Sequence, residues 1–216
     1  MRKTLMLLCA LAVSMSASSA MAVFDLQITE IWPGQSGDDI TPDWFEVTNF
    51  GDMAWTPLDG TLRADDGGAV FLNSVLIENL VSIDPGESVI VLMEDDGSEA
   101  ALFPTAWGIS GVQVGYANGS GLGLGQPSDG VTLFTGAGAL LDAESYAGSS
   151  TAQSWDVFFG QYSSVGDAAG SFESVALGGN ELDTPGVGSP GQVPEPASLA
   201  LLGIGGMLIA RRMRRA

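Results

Sequence analysis

Apolar and polar residues alternate with a period of two over residues 24–31 and again over 44–50. That spacing gives a strand one apolar and one polar face. In the second run Phe45 and Val47 share the apolar face, and Trp44, one position out of phase, is assigned to the exposed one. Residues 70–72 and 75–77 are further strand material. Residues 88–93 are a nearly continuous apolar run, as in a buried strand, and Asp84-Pro85-Gly86-Glu87 supplies a tight turn before it. Residues 130–134 and 140–146 flank a Gly/Ala-rich connection and predict a hairpin. A short helix is accommodated over residues 98–106. About seven strands punctuated by turns predict an all-β sandwich or barrel.

The two ends depart from this pattern. Arg2 and Lys3 precede an apolar run over 5–13, and small residues follow up to Ala20-Met21-Ala22. This is the layout of a cleaved secretory signal over 1–22, with the mature chain starting at Val23. Cys9 lies inside it, so the mature chain has neither disulfide nor thiolate. At the other end Val193-Pro194-Glu195-Pro196 leads into an apolar run over 197–210 and then Arg211, Arg212, Met213, Arg214 and Arg215. Residues 193–216 resemble the PEP-CTERM sorting signal. The resemblance implies recognition through Pro194, Glu195, Pro196, Arg211, Arg212, Arg214 and Arg215 by an exosortase-type membrane enzyme. It also implies processing near Pro-Glu-Pro and an association with exopolysaccharide production. A helix over the apolar run spans about 21 Å, against roughly 30 Å of hydrocarbon. That length suits transient insertion of 197–210 better than a lasting span, with the arginines kept inside.

Charge narrows what the body does. Residues 23–193 hold 25 acids against one base, Arg63, a formal charge of −24. Such a surface repels nucleic acid and anionic lipid, and favours cations and cationic partners. The chain has no histidine, and its one lysine is in the signal. A Ser-His-Asp triad, a Schiff-base lysine and a histidine zinc site are therefore excluded, leaving only carboxylate chemistry such as a glycosidase pair. No catalytic residue and no organic cofactor is assigned.

The body, residues 23–177, resembles a lamin-tail domain, an immunoglobulin-like β-sandwich. The resemblance is carried by Ile28-Thr29-Glu30-Ile31, by Asp43-Trp44-Phe45-Glu46-Val47-Thr48-Asn49-Phe50-Gly51 and by Leu58-Asp59-Gly60-Thr61-Leu62. The Pro85-Gly86 turn into Val89-Ile90-Val91-Leu92, the strand Asp129-Gly130-Val131-Thr132-Leu133-Phe134, Ser154-Trp155 and the closing Ser189-Pro190-Gly191 extend it. Asp156 stands where that family usually has a basic residue. The resemblance implies a fold and carries over no catalytic residue; the patterns at the two ends add a signal helix before it and a hydrophobic helix after it. Residues 178–192, rich in Gly and Pro, read as a linker to the sorting segment.

Two acid–glycine turns, Asp65-Asp66-Gly67-Gly68 and Glu94-Asp95-Asp96-Gly97, offer oxygen ligands on tight loops. Asp65, Asp66, Asp95 and Asp96 are thus candidate calcium ligands, although neither turn has EF-hand spacing. Five tryptophans offer sugar-stacking surface, with Trp44 the most exposed by phase. The expectation is a non-enzymatic cell-surface or matrix protein, exported and sorted at the membrane, in contact with exopolysaccharide or other surface proteins. The alternative is a calcium- or carbohydrate-binding adhesion module.

Overall fold

In a computed structural model of the chain, the described residues are 23–34, 42–93, 96–119, 122–125, 128–148, 152–175 and 185–192. Strands β1 (Leu26–Trp32) and β2 (Trp44–Asn49) pair antiparallel, and β2 pairs with β5 (Ser88–Met93). The register of β1 slips between Ile28 and Glu30. The slip leaves Leu26, Ile28 and Ile31 on one side and sends Glu30 and Trp32 to the other. In β2 the alternation is regular, with Phe45 and Val47 on the first side and Trp44, Glu46 and Thr48 on the second.

The remaining strands among the described residues are β3 (Leu62–Asp66), β4 (Val75–Glu78), β6 (Gln113–Ala117), β7 (Ser128–Thr135), β8 (Leu140–Ala147), β9 (Trp155–Asp156), β10 (Gln161–Tyr162), β11 (Phe172–Glu173) and β12 (Val187–Gly188). Ten of them form one sheet in the order β10-β9-β1-β2-β5-β6-β4-β3-β7-β8, while β11 and β12 pair separately. The protein is all-β with a large curled sheet. The curl brings the β8 edge to β1, where the Asp142 carboxylate accepts the Ile28 N–H at 2.7 Å. A side chain thus satisfies a backbone donor that no neighbouring strand reaches.

The curl encloses the main core, built from Ile28, Ile31, Phe45, Val47, Val89, Val91, Leu133 and their neighbours. The predicted hairpin is present as β7–β8. The predicted turn is closed by Glu87 N–H to Asp84 C=O at 2.9 Å, with Gly86 at φ +78°. Residues 70–72 are not a strand. They form the turn between β3 and β4, closed by Asn73 N–H to Val70 C=O at 2.8 Å, with Leu72 exposed.

Among the described residues β5 and β6 form a parallel ladder, which requires a crossover. That crossover carries α1 (Phe103–Trp107), a helix close to the stretch expected to hold one. Phe103, Ala106 and Trp107 cover the second face of β1, β2 and β5. Trp44 is therefore wholly buried, contrary to its assignment by phase. It stacks on Trp32 at 6.1 Å and 7°, and Trp107 stands edge-on to both at 5.3 and 5.5 Å.

The linker reading over 178–192 also changes. Residues 185–192 are part of the body: Val187–Gly188 is a strand, and Gly186, Gly188, Ser189 and Pro190 are buried. A side chain would not fit at two of these positions. A Cβ on Gly186 would lie 2.6 Å from the Trp32 ring, and one on Gly188 would lie 2.9 Å from Glu30 Oε1. The glycines suggestive of a linker are there because the chain passes directly over the tryptophans and Glu30.

Candidate functional site

The second face carries a row of acids. Glu30 on β1 is directly opposite Glu46 on β2 and, on its other side, Asp156 on β9. All three are buried, with Glu30 and Glu46 each 1% exposed. Like charges directly opposite each other on paired strands repel, and burial disfavours the charged form.

Hydrogen bonds compensate in part. Glu30 Oε1 accepts the Ser154 hydroxyl and the Ser189 N–H, the latter at 2.8 Å. Glu46 Oε1 accepts the Thr29 hydroxyl at 2.6 Å, and its Oε2 accepts the Gly191 N–H at 2.6 Å. The hydroxyls continue outward, Thr29 to Thr48 at 3.0 Å, Thr48 to Ser88 at 2.6 Å, and Ser154 to Ser163 at 2.7 Å. Glu30 Oε2 has no hydrogen-bond partner among the described residues.

Desolvation dominates the titration of the row. It pushes Glu30 up to about 7, with hydrogen bonds from Ser154 and Ser189 opposing and Asp156 adding a small rise. It pushes Glu46 up to about 8, and the facing Glu30 raises it further. Asp156 is also raised, chiefly by burial, with the Phe159 N–H on its carboxylate opposing. Around neutral pH the Glu30–Glu46 pair therefore retains protons. The unpartnered Glu30 Oε2 is the oxygen free to carry one.

Residues 185–192 close this row from solvent. Val187 N–H donates to Ala152 C=O at 2.8 Å, Ser154 N–H to Val187 C=O at 3.0 Å, and Gly186 N–H to Ser174 Oγ at 2.9 Å. With Ser189 and Gly191 held by the two glutamates, every second amide from Gly191 back to Ser189 and Val187 is bonded into the body. Gln192 is exposed.

Residues 192–215 match the family described as the PEP-CTERM protein-sorting motif. The chain carries a PEP-CTERM sorting motif. Such a motif marks exported proteins that are processed at the membrane by an exosortase-type enzyme. No curated protein and no solved structure matches the chain. The PEP-CTERM match starts at Gln192, one residue beyond the last amide held by the acid row. Its named residues, Pro194, Glu195, Pro196, Arg211, Arg212, Arg214 and Arg215, lie outside the described residues, as do 1–22 and the apolar run over 197–210. Among the described residues no helix is long and apolar enough to cross a membrane.

The candidate calcium ligands fall in separate places. Asp65 is buried at the end of β3, and its Oδ2 accepts the Val70 N–H at 2.8 Å, closing the following turn. Asp66 follows it in β3. Asp96 is exposed beyond β5 and accepts the Ser98 N–H at 3.0 Å, which lowers its pKa. Asp95 lies outside the described residues. Among the described residues no three histidine, cysteine or acidic side chains converge in a way that could hold a metal ion. An open cleft of about 300 Å³ lies beside Gly67, lined also by Asp129, Glu144 and Ser145. In it Asp129 Oδ2 accepts the Gly125 N–H at 2.7 Å, and burial raises Glu144, with Asp142 adding to the rise.

Sequence reasoning passed over Glu30 and Glu46, because a polar residue alternating with apolar ones reads as solvent-facing. The available signal lay elsewhere, in the Gly-Val-Gly-Ser-Pro-Gly run over 186–191, where small residues permit close approach to a neighbouring face.

Proposed function

We propose that the protein is a non-enzymatic component of the cell surface or extracellular matrix, delivered by an exosortase-type system associated with exopolysaccharide. On this reading its body is a lamin-tail-like, immunoglobulin-like sandwich that acts through its acidic outer surface. The PEP-CTERM match over 192–215 supports the route. The buried acid row supports the non-enzymatic part of the reading. Glu30 and Glu46, the strongly perturbed carboxylates that could serve acid–base chemistry, are sealed beneath residues 185–192, where no glycan or peptide reaches them. The burial of Trp44 also removes the main ground for a sugar-stacking platform.

The test is an activity survey of the purified protein against glycans and peptides, beside the Glu46→Gln variant. The proposal expects no turnover from either. Robust hydrolysis by the native protein that disappears in the variant would overturn it.

A further inference from the structure

The PEP-CTERM match begins at Gln192, and residues 186–191 just before it are held to the body by specific hydrogen bonds. An enzyme that reads its substrate as an extended strand needs free backbone donors and acceptors. Residues 186–191 have few to offer. The amides of Gly186, Val187, Ser189 and Gly191 are bonded to Ser174, Ala152, Glu30 and Glu46, and the carbonyls of Gly186 and Val187 accept Ser174 N–H and Ser154 N–H. Gly191 adopts φ +78°, and a Cβ there would lie 2.5 Å from Val112 Cγ2, so the chain leaves the body through a fitted turn. Gln192 is the first exposed residue past that turn, its N–H donating back to Ser189 C=O at 2.9 Å.

We propose that the folded body sets the inner limit of C-terminal processing. Glu30 and Glu46 act as positioning residues that withhold residues 186–191 from the enzyme, so that cleavage falls at Gln192 or beyond. The inference rests on the reading that the PEP-CTERM motif is processed. Hydrolysis beyond Gln192 breaks one C–N bond and adds one water, leaving a carboxylate on the body and an amine on the released tail. The body keeps the segment that seals its acid row, so maturation does not expose the buried glutamates.

Among the described residues the titratable groups that face this clamp are acids. Glu46 meets Glu30, and Glu30 meets Glu46 and Asp156. No cation competes with the backbone amides for these carboxylates among the described residues.

The test is limited digestion of the detergent-extracted full chain with elastase, which favours small residues, with C-termini mapped by mass spectrometry. The proposal expects the first products to end at Gln192 or later, with the Val187–Gly188 and Gly188–Ser189 bonds intact. Glu46→Ala and Gly191→Ala should each raise cleavage at those two bonds at least tenfold. Glu46→Gln should retain protection, because its carboxamide oxygen still accepts the Gly191 N–H. Gly191→Ala leaves the carboxylates in place, so it decides the matter if Glu46→Ala fails to fold. Native chains cut at 187–189 as fast as beyond 192 would overturn the inference, and so would full protection in Gly191→Ala. A native protein that retains its Arg-rich tail in the cell would instead sink the processing reading, whatever the digest shows.

Discussion

Glu30 and Glu46 face each other directly across the β1–β2 pair, both buried, and each accepts a backbone amide from the last eight described residues of the chain. Two glutamates in that relationship cannot both ionise cheaply. Their burial couples the protonation of the body to the seating of its closing segment.

This relationship gives stability a definite pH slope. The folded pKa values are raised above the ordinary 4.5, to about 7 and about 8, so the folded chain binds more protons than the unfolded one between those limits. The pair's stabilisation is then fully present below the ordinary 4.5, is lost as pH rises from there to 7 and 8, and levels off above, with a limiting slope of about 1.4 kcal/mol per pH unit for each proton. Asp156 is raised too and adds in the same direction, while Asp96 and Asp167 are lowered and act only below pH 4. Glu46→Gln should flatten the slope and raise the midpoint at pH 8. Denaturant melts at pH 5, 6.5 and 8 check this, and a midpoint that rises with pH would contradict it.

Trp44 separates a packed second face from an exposed one. It is buried against Trp32, Trp107 and Phe103, so Trp44→Ala should cost about 3–5 kcal/mol. An exposed tryptophan would cost less than about 0.5 kcal/mol. Chemical denaturation of the variant distinguishes the two.

Several of the longer strands were legible in the sequence, while β3 and β6 were not, and 70–72 proved to be a turn. The periods at 24–31 and 44–50, the apolar run at 88–93 and the hairpin around 135–139 all appear in the sheet. What alternation could not reveal was cover. A period of two assigns Trp44, Glu46 and Thr48 to one face and leaves open what lies on it. Here that face is roofed by α1 and residues 185–192, both distant in sequence. The same limit explains the linker expectation, because glycine chosen for close approach and glycine chosen for flexibility look alike in composition. The acid–glycine turn at 65–68 was visible as a turn, but its Asp65 carboxylate serves the backbone of Val70.

Asn49 is a second polar element with a structural task. Its Oδ1 accepts Asp25 N–H at 3.1 Å and Gly51 N–H at 2.9 Å, and its Nδ2 donates to Met53 C=O at 2.9 Å and Ile83 C=O at 2.8 Å. Asn49→Ala orphans these groups in a buried site and should cost about 3 kcal/mol. Asn49→Asp should recover little, since a carboxylate has no donor for the two carbonyls. Thermal melts of both variants check this.

At the N-terminus the Val23 N–H donates to Asp52 Oδ1 at 2.9 Å, and the Val23 C=O accepts Asp52 N–H at 3.1 Å. Signal removal after Ala22 would turn that amide into an ammonium beside the carboxylate. Because Val23 is half exposed, Asp52→Asn should lower stability by less than about 1 kcal/mol, and the loss should shrink at high salt. A chain retaining residues before Val23 should lack the salt dependence.

Processing at both ends is read most directly from the intact mass of the native protein recovered from envelope and culture medium. The expected species begins at Val23 and ends between Gln192 and Pro196, keeping the closing segment and losing the Arg-rich tail. A mass that retains Arg211–Arg215, or one that ends before Gly191, would contradict it.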